Sequence, residues 1–518
     1  MRSVRLTAVV AAVAVSLMSA PVAHAAAYPR AKSPAAGKTV RDGLGAAGGT
    51  SALPQPTLNV TPSASYYSAA HPDVIYGGAF TFTVSGQTDA GDITGMSLAF
   101  GDGITGGQYW SETGGEVYHT YQHAGVYQAT LTVTYVGGRT ASVTEPVVAG
   151  DTLSPYAPPK LTADSGGAAG DIPAHAVVRM PEEQLLQMVG FPADAIQLNV
   201  TVADASASGF VTLYPDGTPR PVTSNLNFAA GQTIANEVSV RPGADQFVDI
   251  YNGSSEPVGI VISTFGLNSG PGWDSYFPVN ATRLLDTRAG RPVAGHGTAA
   301  LKIAGTNGVP ADAAAVLLNV TETDARSSGY LTTFDTGLPD PTVSELDWSA
   351  GQTAQNLVLV PLKSGTVDLK NNASGSAEFI ADLVGYVGIG NGSVFMPTAP
   401  ARLLDTRNGT GAPAGQLAPG RTLRIHVPAP SGIDLTAAAL NLTVTGSGSA
   451  GYLVAYADGT RRPATSSIDW AAGQTVSNMT MTPTSTDGYV DVYNAGPKPV
   501  SVIADLSGYY FQYPNQLG

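Results

Sequence analysis

The chain of 518 residues contains no cysteine, only four tryptophans and few charged residues (12%). The absence of cysteine excludes disulfides, thiol catalysis and cysteine-ligated zinc, so each domain must rely on its hydrophobic core. Acidic residues outnumber basic ones, 39 to 25, and the net charge is −14. Binding to the phosphates of a nucleic acid therefore has little electrostatic support, and nucleic acid is not an expected partner.

Glycine and proline, in contrast, are abundant, with 61 and 37 residues. Together with 43% hydrophobic residues, this composition favours a turn-rich, all-β protein over a helical or disordered one. At roughly 100–200 residues per domain, three to five domains are expected.

The first 25 residues have the features of a secretory signal peptide. Arg2 and Arg5 supply a positive region, residues 6–18 an apolar stretch too short to span a bilayer, and residues 23–25 (Ala-His-Ala) a cleavage site. An uncleaved anchor is the less favoured alternative. Residues 26–55 are rich in small residues and aperiodic, which predicts a flexible linker. We expect an extracellular protein, released or associated with the cell surface, without membrane insertion after cleavage.

Three copies of one pattern fill the last two-thirds of the chain. Leu-Asn-x-Thr occurs at 198–201, 318–321 and 440–443, and Gly-Gln-Thr-x-x-Asn at 231–236, 351–356 and 473–478. Both motifs are spaced by 120 and then 122 residues, which is the length of a whole domain rather than of a solenoid repeat.

We place the copies at 152–270 (repeat 1), 273–388 (repeat 2) and 394–512 (repeat 3). Repeat 3 contains eight short strand-like segments, and a domain of this length with seven or eight such strands indicates a β-sandwich, including the jelly-roll type. The predicted fold class is therefore all-β, with tandem β-sandwiches.

All three copies keep the asparagines of both motifs and a Val-Asp pair. Since Asn and Asp retained at strand ends more often satisfy backbone groups in turns than bind ligands, we interpret them as structural. Trp348 and Trp470 share a position where repeat 1 has Phe228. Each lies on the same strand face as an aliphatic neighbour, which favours a core position over an exposed sugar-stacking platform.

A second set of residues is present only in repeats 2 and 3. Its members are Arg283, Asp286, Arg288 and Asp382 in repeat 2, and Arg402, Asp405, Arg407 and Asp505 in repeat 3. Repeat 1 has Lys160, Ala163, Ser165 and Ser263 instead. Because Arg and Asp are lost together, and because a carboxylate on an apolar strand needs a partner, we predict ion pairs between the first and last strands of a repeat. The predicted pairs are Asp382 with Arg283 or Arg288, and Asp505 with Arg402 or Arg407.

Residues 57–149 carry two motifs of a known family. They are Leu-Ala-Phe-Gly-Asp-Gly at 98–103, and Val-Tyr-His-Thr-Tyr at 117–121 followed by Ala-Gly-Val-Tyr at 124–127. In both of these motifs, the region resembles the PKD (polycystic kidney disease) domain. The resemblance implies an immunoglobulin-like sandwich that is usually an extracellular spacer or weak binder. The residues also indicate a tight turn, in which Gly101 and Gly103 accept positive φ and Asp102 bonds nearby amides.

The repeats resemble an uncharacterised module of secreted actinobacterial proteins. The resemblance depends on Arg-Leu-Leu-Asp-Thr-Arg at 283–288 and 402–407, and on Ile-Ala-Asp-Leu-x-Gly-Tyr at 380–386 and 503–509. It covers repeats 2 and 3 fully and the diverged repeat 1 partially. It implies an extracellular accessory module and nothing catalytic.

No motif of a catalytic or metal centre is recognisable. The seven histidines are scattered, and phosphate-loop, nucleophile-elbow and zinc-protease motifs are missing. Asp286 and Asp382 could form an acid pair of glycosidase type, but arginine neighbours would keep both ionised. No cofactor is therefore expected. Calcium at Asp102 or at other Asp and Asn turns stays an open alternative, because hard oxygen ligands are available there.

The sequence thus predicts a secreted, non-catalytic protein of four β-domains. The leading interpretation is extracellular binding or adhesion to a polysaccharide, a cell-wall glycan or a cell-surface protein, with the affinity of single modules increased by multivalency. One alternative is a purely structural spacer or matrix component. Another is a hydrolase with an unrecognised carboxylate pair. No motif names the ligand or the oligomeric state.

Overall fold

The computed structural model describes residues 53–514, apart from 54, 65–74, 87–92, 107–114, 156–159, 164–170, 183–192, 204, 271 and 273. The predicted signal peptide and nearly all of the predicted linker lie outside the described residues.

The first domain is a sandwich of two antiparallel sheets, with strand orders β1-β2-β5 and β4-β3-β6-β7. Its strands are β1 (Thr57–Ala64), β2 (Ile75–Ser85), β3 (Ile93–Ala99), β4 (Thr105–Gly106), β5 (Gly115–Thr120), β6 (Gly125–Tyr135) and β7 (Thr140–Ala149). Burial alternates along β6, since one face of an antiparallel sheet lies on the core and the other meets solvent. Phe82, Phe100 and Leu131 are among the side chains of that core.

Each of the three repeats is built from its own set of strands. Repeat 1 has β8 (Thr152–Pro155), β9 (Lys160–Ala163), β10 (Val177–Pro181), β11 (Ala195–Ala203), β12 (Gly209–Pro215), β13 (Leu226–Phe228), β14 (Ile234–Val240), β15 (Phe247–Asn252) and β16 (Gly259–Ser269). Repeat 2 has β17 (Asp274–Asp286), a 3₁₀ turn (Thr287–Ala289), β18 (Thr298–Lys302), β19 (Ala315–Thr323), β20 (Gly329–Asp335), β21 (Leu346–Trp348), β22 (Ala354–Pro361), β23 (Thr366–Asn371) and β24 (Glu378–Ile389). Repeat 3 has β25 (Val394–Asp405), β26 (Thr422–His426), β27 (Asp434–Thr445), β28 (Gly451–Ala457), β29 (Ile468–Trp470), β30 (Val476–Pro483), β31 (Tyr489–Asn494) and β32 (Ser501–Gln512).

The strand order in every repeat is that of a jelly roll. In repeat 2 one sheet has the order β17-β24-β19-β22 and the other β18-β23-β20-β21. Repeat 3 has the same order, and repeat 1 differs only in that its first strand is divided into β8 and β9, which both pair with β16. The prediction of an all-β fold of tandem sandwiches is confirmed, and the repeats are of the jelly-roll type.

The two sheets of a repeat differ in burial. In the sheet that contains β19 and β22, which we call the inner sheet, nearly every residue of these two strands is buried. In the other sheet, the outer sheet, β23 alternates between buried and half-buried residues. A sheet that is buried on both faces must be covered on both. The inner sheet therefore packs against its own outer sheet on one face and needs a second cover on its other face.

The second cover of each inner sheet is supplied by the other two repeats. At the joint between repeats 2 and 3, Asn319 donates from Nδ2 to the carbonyl of Ser466 (2.8 Å), and Asn478 donates from Nδ2 to Oδ1 of Asn319 (3.0 Å). The same two bonds occur at the other joints: Asn441 to Ser224 (2.6 Å) and Asn236 to Asn441 (2.9 Å), then Asn199 to Ser344 (2.7 Å) and Asn356 to Asn199 (2.8 Å). Repeat 1 thus joins repeat 2, repeat 2 joins repeat 3, and repeat 3 joins repeat 1. The repeats form a closed ring with approximate threefold symmetry.

The retained asparagines are structural, and the expected bonds to backbone groups are present: Asn236, Asn356 and Asn478 donate to the carbonyls of Asn225, Glu345 and Ser467 in their own repeats. Beyond that expectation, the asparagines of both motifs also connect one repeat to the next. The centre of the ring is filled by side chains from all three repeats, including Leu153, Tyr276, Phe395, Leu357 and Met479.

The first domain is fixed to the ring by backbone and side-chain contacts. Asp151 and Phe395 exchange both of their backbone hydrogen bonds, at 2.9 and 2.8 Å. Asp194 of repeat 1 accepts a hydrogen bond from the amide of Ala124 (2.7 Å) through one carboxylate oxygen, and its other oxygen lies 2.9 Å from Nδ1 of His123. The domain is therefore docked on the ring and not merely tethered to it.

We predict that Asn319→Ala lowers the free energy of unfolding by about 1–3 kcal/mol, because the half-buried carbonyl of Ser466 and the buried amide of Asn478 each lose a partner. Urea denaturation measures the change. Asn280→Ala, at an exposed position of the same repeat, is the control and should leave stability within about 0.5 kcal/mol of the wild type. Equal stability of the two variants would contradict the role of the asparagine joint.

Several buried carboxyl groups make the stability depend on pH, and Glu322 is one of them. Glu322 on β19 is fully buried, and neither of its side-chain oxygens has a hydrogen-bond partner among the described residues. Burial raises its pKa to about 8. The matching residues in repeats 1 and 3 are Val202 and Val444.

We predict that Glu322→Val is more stable than the wild type, and that the difference grows as pH rises from about 4 to 8. The unfolded chain releases this proton near pH 4 but the folded chain keeps it until about pH 8, so ionisation disfavours folding across that interval. The gain near pH 8 should be on the order of 3–5 kcal/mol. Thermal denaturation at pH 5, 6.5 and 8 measures it, with Glu256→Gln at an exposed position as the control. A difference that does not change with pH would show that Glu322 is already ionised in the folded protein.

Candidate functional site

The arginine and aspartate set lies where the first and last strands of a repeat are paired. In repeat 3, Arg402 is directly opposite Asp505 in the β25–β32 register, and it donates to both carboxylate oxygens at 2.8 and 3.0 Å. In repeat 2, Arg283 and Asp382 make the same bidentate pair at 2.8 and 3.1 Å. Of the two arginines that the sequence offered for each aspartate, the first of the motif makes the contact.

The second arginine of the motif pairs within its own strand end. Arg407 donates to Asp405 at 2.9 and 2.7 Å, and Arg288 donates to Asp286 at the same distances. Arg402 also reaches Asp405 at 3.4 Å, so the four charged groups of repeat 3 form one network.

The carboxyl groups of this network have opposite pKa shifts. Burial raises the pKa of Asp382 and of Asp505, and the facing guanidinium offsets only part of that effect. In contrast, the hydrogen bond from Arg288 lowers the pKa of Asp286 to about 2, and Arg407 lowers that of Asp405. For Asp382, burial therefore outweighs the arginine neighbour, which we had expected to control its ionisation.

The network belongs to the joints of the ring. Asp382 is paired in register with Arg283 on one side and Asn319 on the other, so the three side chains form a row across the inner sheet. Asn319 bonds to repeat 3 from the end of this row. In repeat 1 the register places Ser263 beside Asn199. The arginine and aspartate set therefore strengthens two of the three joints, which is a structural role.

The PKD-type turn is also closed by protein groups. Gly101 and Gly103 both have φ of +90°, and Asp102 accepts a hydrogen bond from the amide of Ile104 (3.0 Å). Its other carboxylate oxygen lies 2.7 Å from Nε2 of His119, whose ring stacks on Phe100. Both oxygens that calcium would need are engaged inside the turn.

The tryptophans are core residues, so they offer no platform to a ligand. Trp348 and Trp470 are each 3% exposed, and Phe228 is 4% exposed. The exposed aromatic position is a different one, at the start of the fourth strand of the jelly roll, where Tyr330 and Tyr452 are 36% and 40% exposed.

The outer sheet of repeat 3 carries a cluster that sequence reasoning did not find. The guanidinium of Arg424 lies 3.5 Å from the ring centroid of Tyr489. It is held there by Asp458, to which Nε donates at 2.9 Å, and by Asp487, to which Nη2 donates at 3.0 Å. Nearly half of the arginine side chain is exposed. Two carboxylates and an aromatic ring thus fix an arginine at the surface.

A second arginine and aromatic pair extends the same surface. Arg462 lies 3.7 Å from the ring centroid of Tyr493, two pleats from Tyr489 on β31. Asp491 stands between the two tyrosines on this face, since side chains alternate along a strand. Burial raises the pKa of Asp491, and the neighbouring Asp458 carboxylate raises it further. We call Arg424, Arg462, Asp458, Asp487, Tyr489, Asp491 and Tyr493 the repeat 3 cluster.

Repeat 1 carries the same cluster. Arg179 lies 3.6 Å from the ring of Phe247, donates to Asp216 at 2.6 Å and pairs with Asp245. Arg220 lies 3.7 Å from the ring centroid of Tyr251, and Asp249 stands between Phe247 and Tyr251 on the same strand face. The repeat 1 cluster therefore consists of Arg179, Arg220, Asp216, Asp245, Phe247, Asp249 and Tyr251. Repeat 2 differs: Ala300, Thr366 and Lys370 occupy the positions of Arg424, Tyr489 and Tyr493, and Lys370 pairs with Asp340 at 2.6 Å.

The sequence held a signal for these clusters. Phe-x-Asp-x-Tyr at 247–251 and Tyr-x-Asp-x-Tyr at 489–493 alternate on one strand face, and repeat 2 has Thr-x-Asp-x-Lys at 366–370. Comparing the residues around the shared Asp would have separated repeats 1 and 3 from repeat 2. The arginines could not be assigned, because they come from other strands and loops.

The cleft between repeats 2 and 3 has a different chemistry. Its cavity volume is only about 20 Å³, and its lining includes Val279, Leu357, Tyr456, Ser467 and Met479. None of the residues that line it is a carboxylate or a histidine. Within the described ranges, no group of three or more His, Cys, Asp or Glu could hold a metal ion. The same residues include no helix that is long and apolar enough to cross a membrane.

We predict that Arg402→Ala destabilises the protein by about 3–5 kcal/mol, because it leaves the buried Asp505 carboxylate without its partner. The double variant with Asp505→Ser, which copies Ser263 of repeat 1, should recover much of that loss. Arg288→Ala removes an arginine that is 47% exposed, and as the control it should cost less than about 1 kcal/mol. Urea denaturation of the wild type, Arg402→Ala, Asp505→Ser, the double variant and the control completes the comparison. Additive losses in the double variant would contradict direct pairing.

Comparisons with known proteins give limited likenesses. The chain is similar to carbohydrate-binding modules of the β-sandwich superfamily (12% identity, 42% of this chain and 98% of theirs, TM-score 0.16). It is similar to a triple jelly-roll protein of an archaeal virus (12%, 70% and 90%, TM-score 0.16). It is also similar to SGBP-B of the Bacteroides ovatus mixed-linkage glucan utilization locus, in complex with a mixed-linkage heptasaccharide (13%, 87% and 100%, TM-score 0.14). Likenesses this weak carry no conclusion about a ligand. No curated protein matches the chain. Residues 59–149 match the PKD domain family, which confirms the predicted identity of the first domain.

Proposed function

We propose that the protein is a secreted, non-catalytic binding protein for neutral polysaccharide, and that the clusters of repeats 1 and 3 are its binding surfaces. The observation that carries the proposal is the fixed, exposed arginine of each cluster, Arg179 and Arg424, held between two carboxylates and an aromatic ring. A PKD domain and an N-terminus of signal-peptide type support an extracellular location.

The clusters suit sugar hydroxyls because they present donors and acceptors side by side. A hydroxyl both donates and accepts, and neighbouring hydroxyls of a sugar ring can bond to a guanidinium and to a carboxylate at once. Ion pairing and ring stacking hold these groups in place before binding, which lowers the entropy that a ligand must remove. Tyr452 lies on the same face of β28 as Tyr456 and offers an exposed ring for stacking.

The charge of the clusters favours a neutral polymer over an anionic one. Each cluster has three carboxylates and two guanidiniums, so each is net negative, as is the whole chain. A polymer of uronic acids or sulfated sugars would be repelled at both surfaces.

The non-catalytic part of the proposal is supported by the arrangement of the acids. The carboxylates on which the hydrolase alternative depended, Asp286 and Asp382, form ion pairs with arginines at a joint of the ring. In each cluster, two of the three carboxylates are likewise paired with an arginine, Arg179 or Arg424.

The mature protein should bind to neutral polysaccharides in affinity electrophoresis, with hydroxyethyl cellulose and arabinoxylan as probes and polygalacturonate as the anionic comparison. Removing both clusters with Arg179→Ala and Arg424→Ala should weaken retardation at least about tenfold, because each substitution removes a positioned donor and frees the ring beneath it. Lys370→Ala, at the matching surface of repeat 2, is the control and should bind like the wild type.

Retardation that is the same in the double variant and in the wild type would move the binding surface elsewhere. If none of the three polymers slows the migration of the wild type, the spacer role is favoured instead.

A further inference from the structure

The two clusters point in different directions, as a consequence of how the ring is closed. The inner sheets of all three repeats face a common centre, where Leu153, Leu357 and Met479 meet. Each outer sheet lies on the opposite side of its own core and therefore faces away from that centre. Since the joints repeat with approximate threefold symmetry, the outer faces of repeats 1 and 3 diverge by about 120°.

This orientation is fixed. Repeats 1 and 3 share a joint in which Asn441 donates to Ser224, Asn236 donates to Asn441, and the amide of Met479 donates to Asn236 (2.9 Å). The first domain contacts the same two repeats, through Asp194 of repeat 1 and through the ring of Phe80, which packs edge-on against Tyr513 just after repeat 3. The ring therefore has no freedom to bring the two clusters onto one plane.

A stiff polymer that lies across one cluster cannot also reach the other. Avidity requires that two sites engage one ligand simultaneously, and it is lost when geometry forbids this. Two sites that face apart can instead be occupied by two separate chains.

Resting on the proposed function, we infer that the protein is a bivalent cross-linker that bridges separate polysaccharide chains through the repeat 1 and repeat 3 clusters. Repeat 2 contributes the closure of the ring that sets the angle between them. This inference replaces the avidity on a single chain that the repeated sequence first indicated.

The inference is tested by light scattering during titration of the full-length mature protein into hydroxyethyl cellulose or arabinoxylan. For the wild type we expect scattering to rise and then fall as protein becomes excess, because every binding site on the polymer is then occupied by a different molecule. Arg179→Ala and Arg424→Ala, tested singly, should each remove the scattering maximum.

Affinity electrophoresis on the same polymers separates bridging from binding. Each single variant keeps one cluster and should be retarded within about twofold of the wild type, since only a statistical factor is lost. Lys370→Ala should both bind and scatter like the wild type. Gel filtration of every variant verifies that it is folded and monodisperse before polymer is added.

The remaining outcomes overturn one statement or the other. If the wild type binds without a scattering maximum, or if a single variant binds roughly a hundredfold more weakly than the wild type, both clusters engage one chain and the cross-linking inference is wrong. If a single variant still scatters like the wild type, the bridging surfaces are not these clusters. If the wild type fails to bind either polymer, the proposed function itself fails.

Discussion

The asparagine joint is the interaction on which the rest of the structure depends. A single side-chain amide in each repeat both donates to the next repeat and accepts from it, and three such joints close the ring. Without closure, the central faces of the three inner sheets would be exposed to water, both their apolar side chains such as Leu357 and Met479 and their buried polar ones such as Gln197. Ring closure therefore determines the packing of the centre, the docking of the PKD domain and the directions in which the outer sheets face.

Much of the fold could be predicted from the sequence, because the burial of a strand is visible in the alternation of its own apolar and polar residues. The two-residue alternation and the turn residues gave the strands, and the identity between copies gave the domains. The joints could not be predicted, because Asn319 and its partner Asn478 are 159 residues apart, and neither motif contains a feature that identifies the other as its partner. The choice of Arg402 over Arg407 likewise depends on a register shift in β25 that the sequence does not show.

Which two repeats resemble each other depends on the surface that is compared, the joints or the outer sheets. At the joints, repeats 2 and 3 share the arginine and aspartate network, whereas repeat 1 has Ser263. On the outer sheets, repeats 1 and 3 share a cluster, whereas repeat 2 has Lys370. Of these two surfaces, repeat 1 has diverged at the joint and not on the outer sheet. The residues that stabilise the assembly and those proposed to bind ligand are separate, so either set can change without the other.

Closure also constrains the order in which the protein can fold. The joint between repeats 3 and 1 connects Asn441 with Asn236, and 205 residues separate them. Repeats 1 and 2 leave the ribosome first, and their inner sheets then lack one of their covers until the C-terminal repeat arrives. Contacts between such distant segments cost loop-closure entropy and slow the search for the native state. The ring can therefore close only after the strands of repeat 3 have formed, and until then the uncovered inner sheets of repeats 1 and 2 are vulnerable to aggregation and proteolysis.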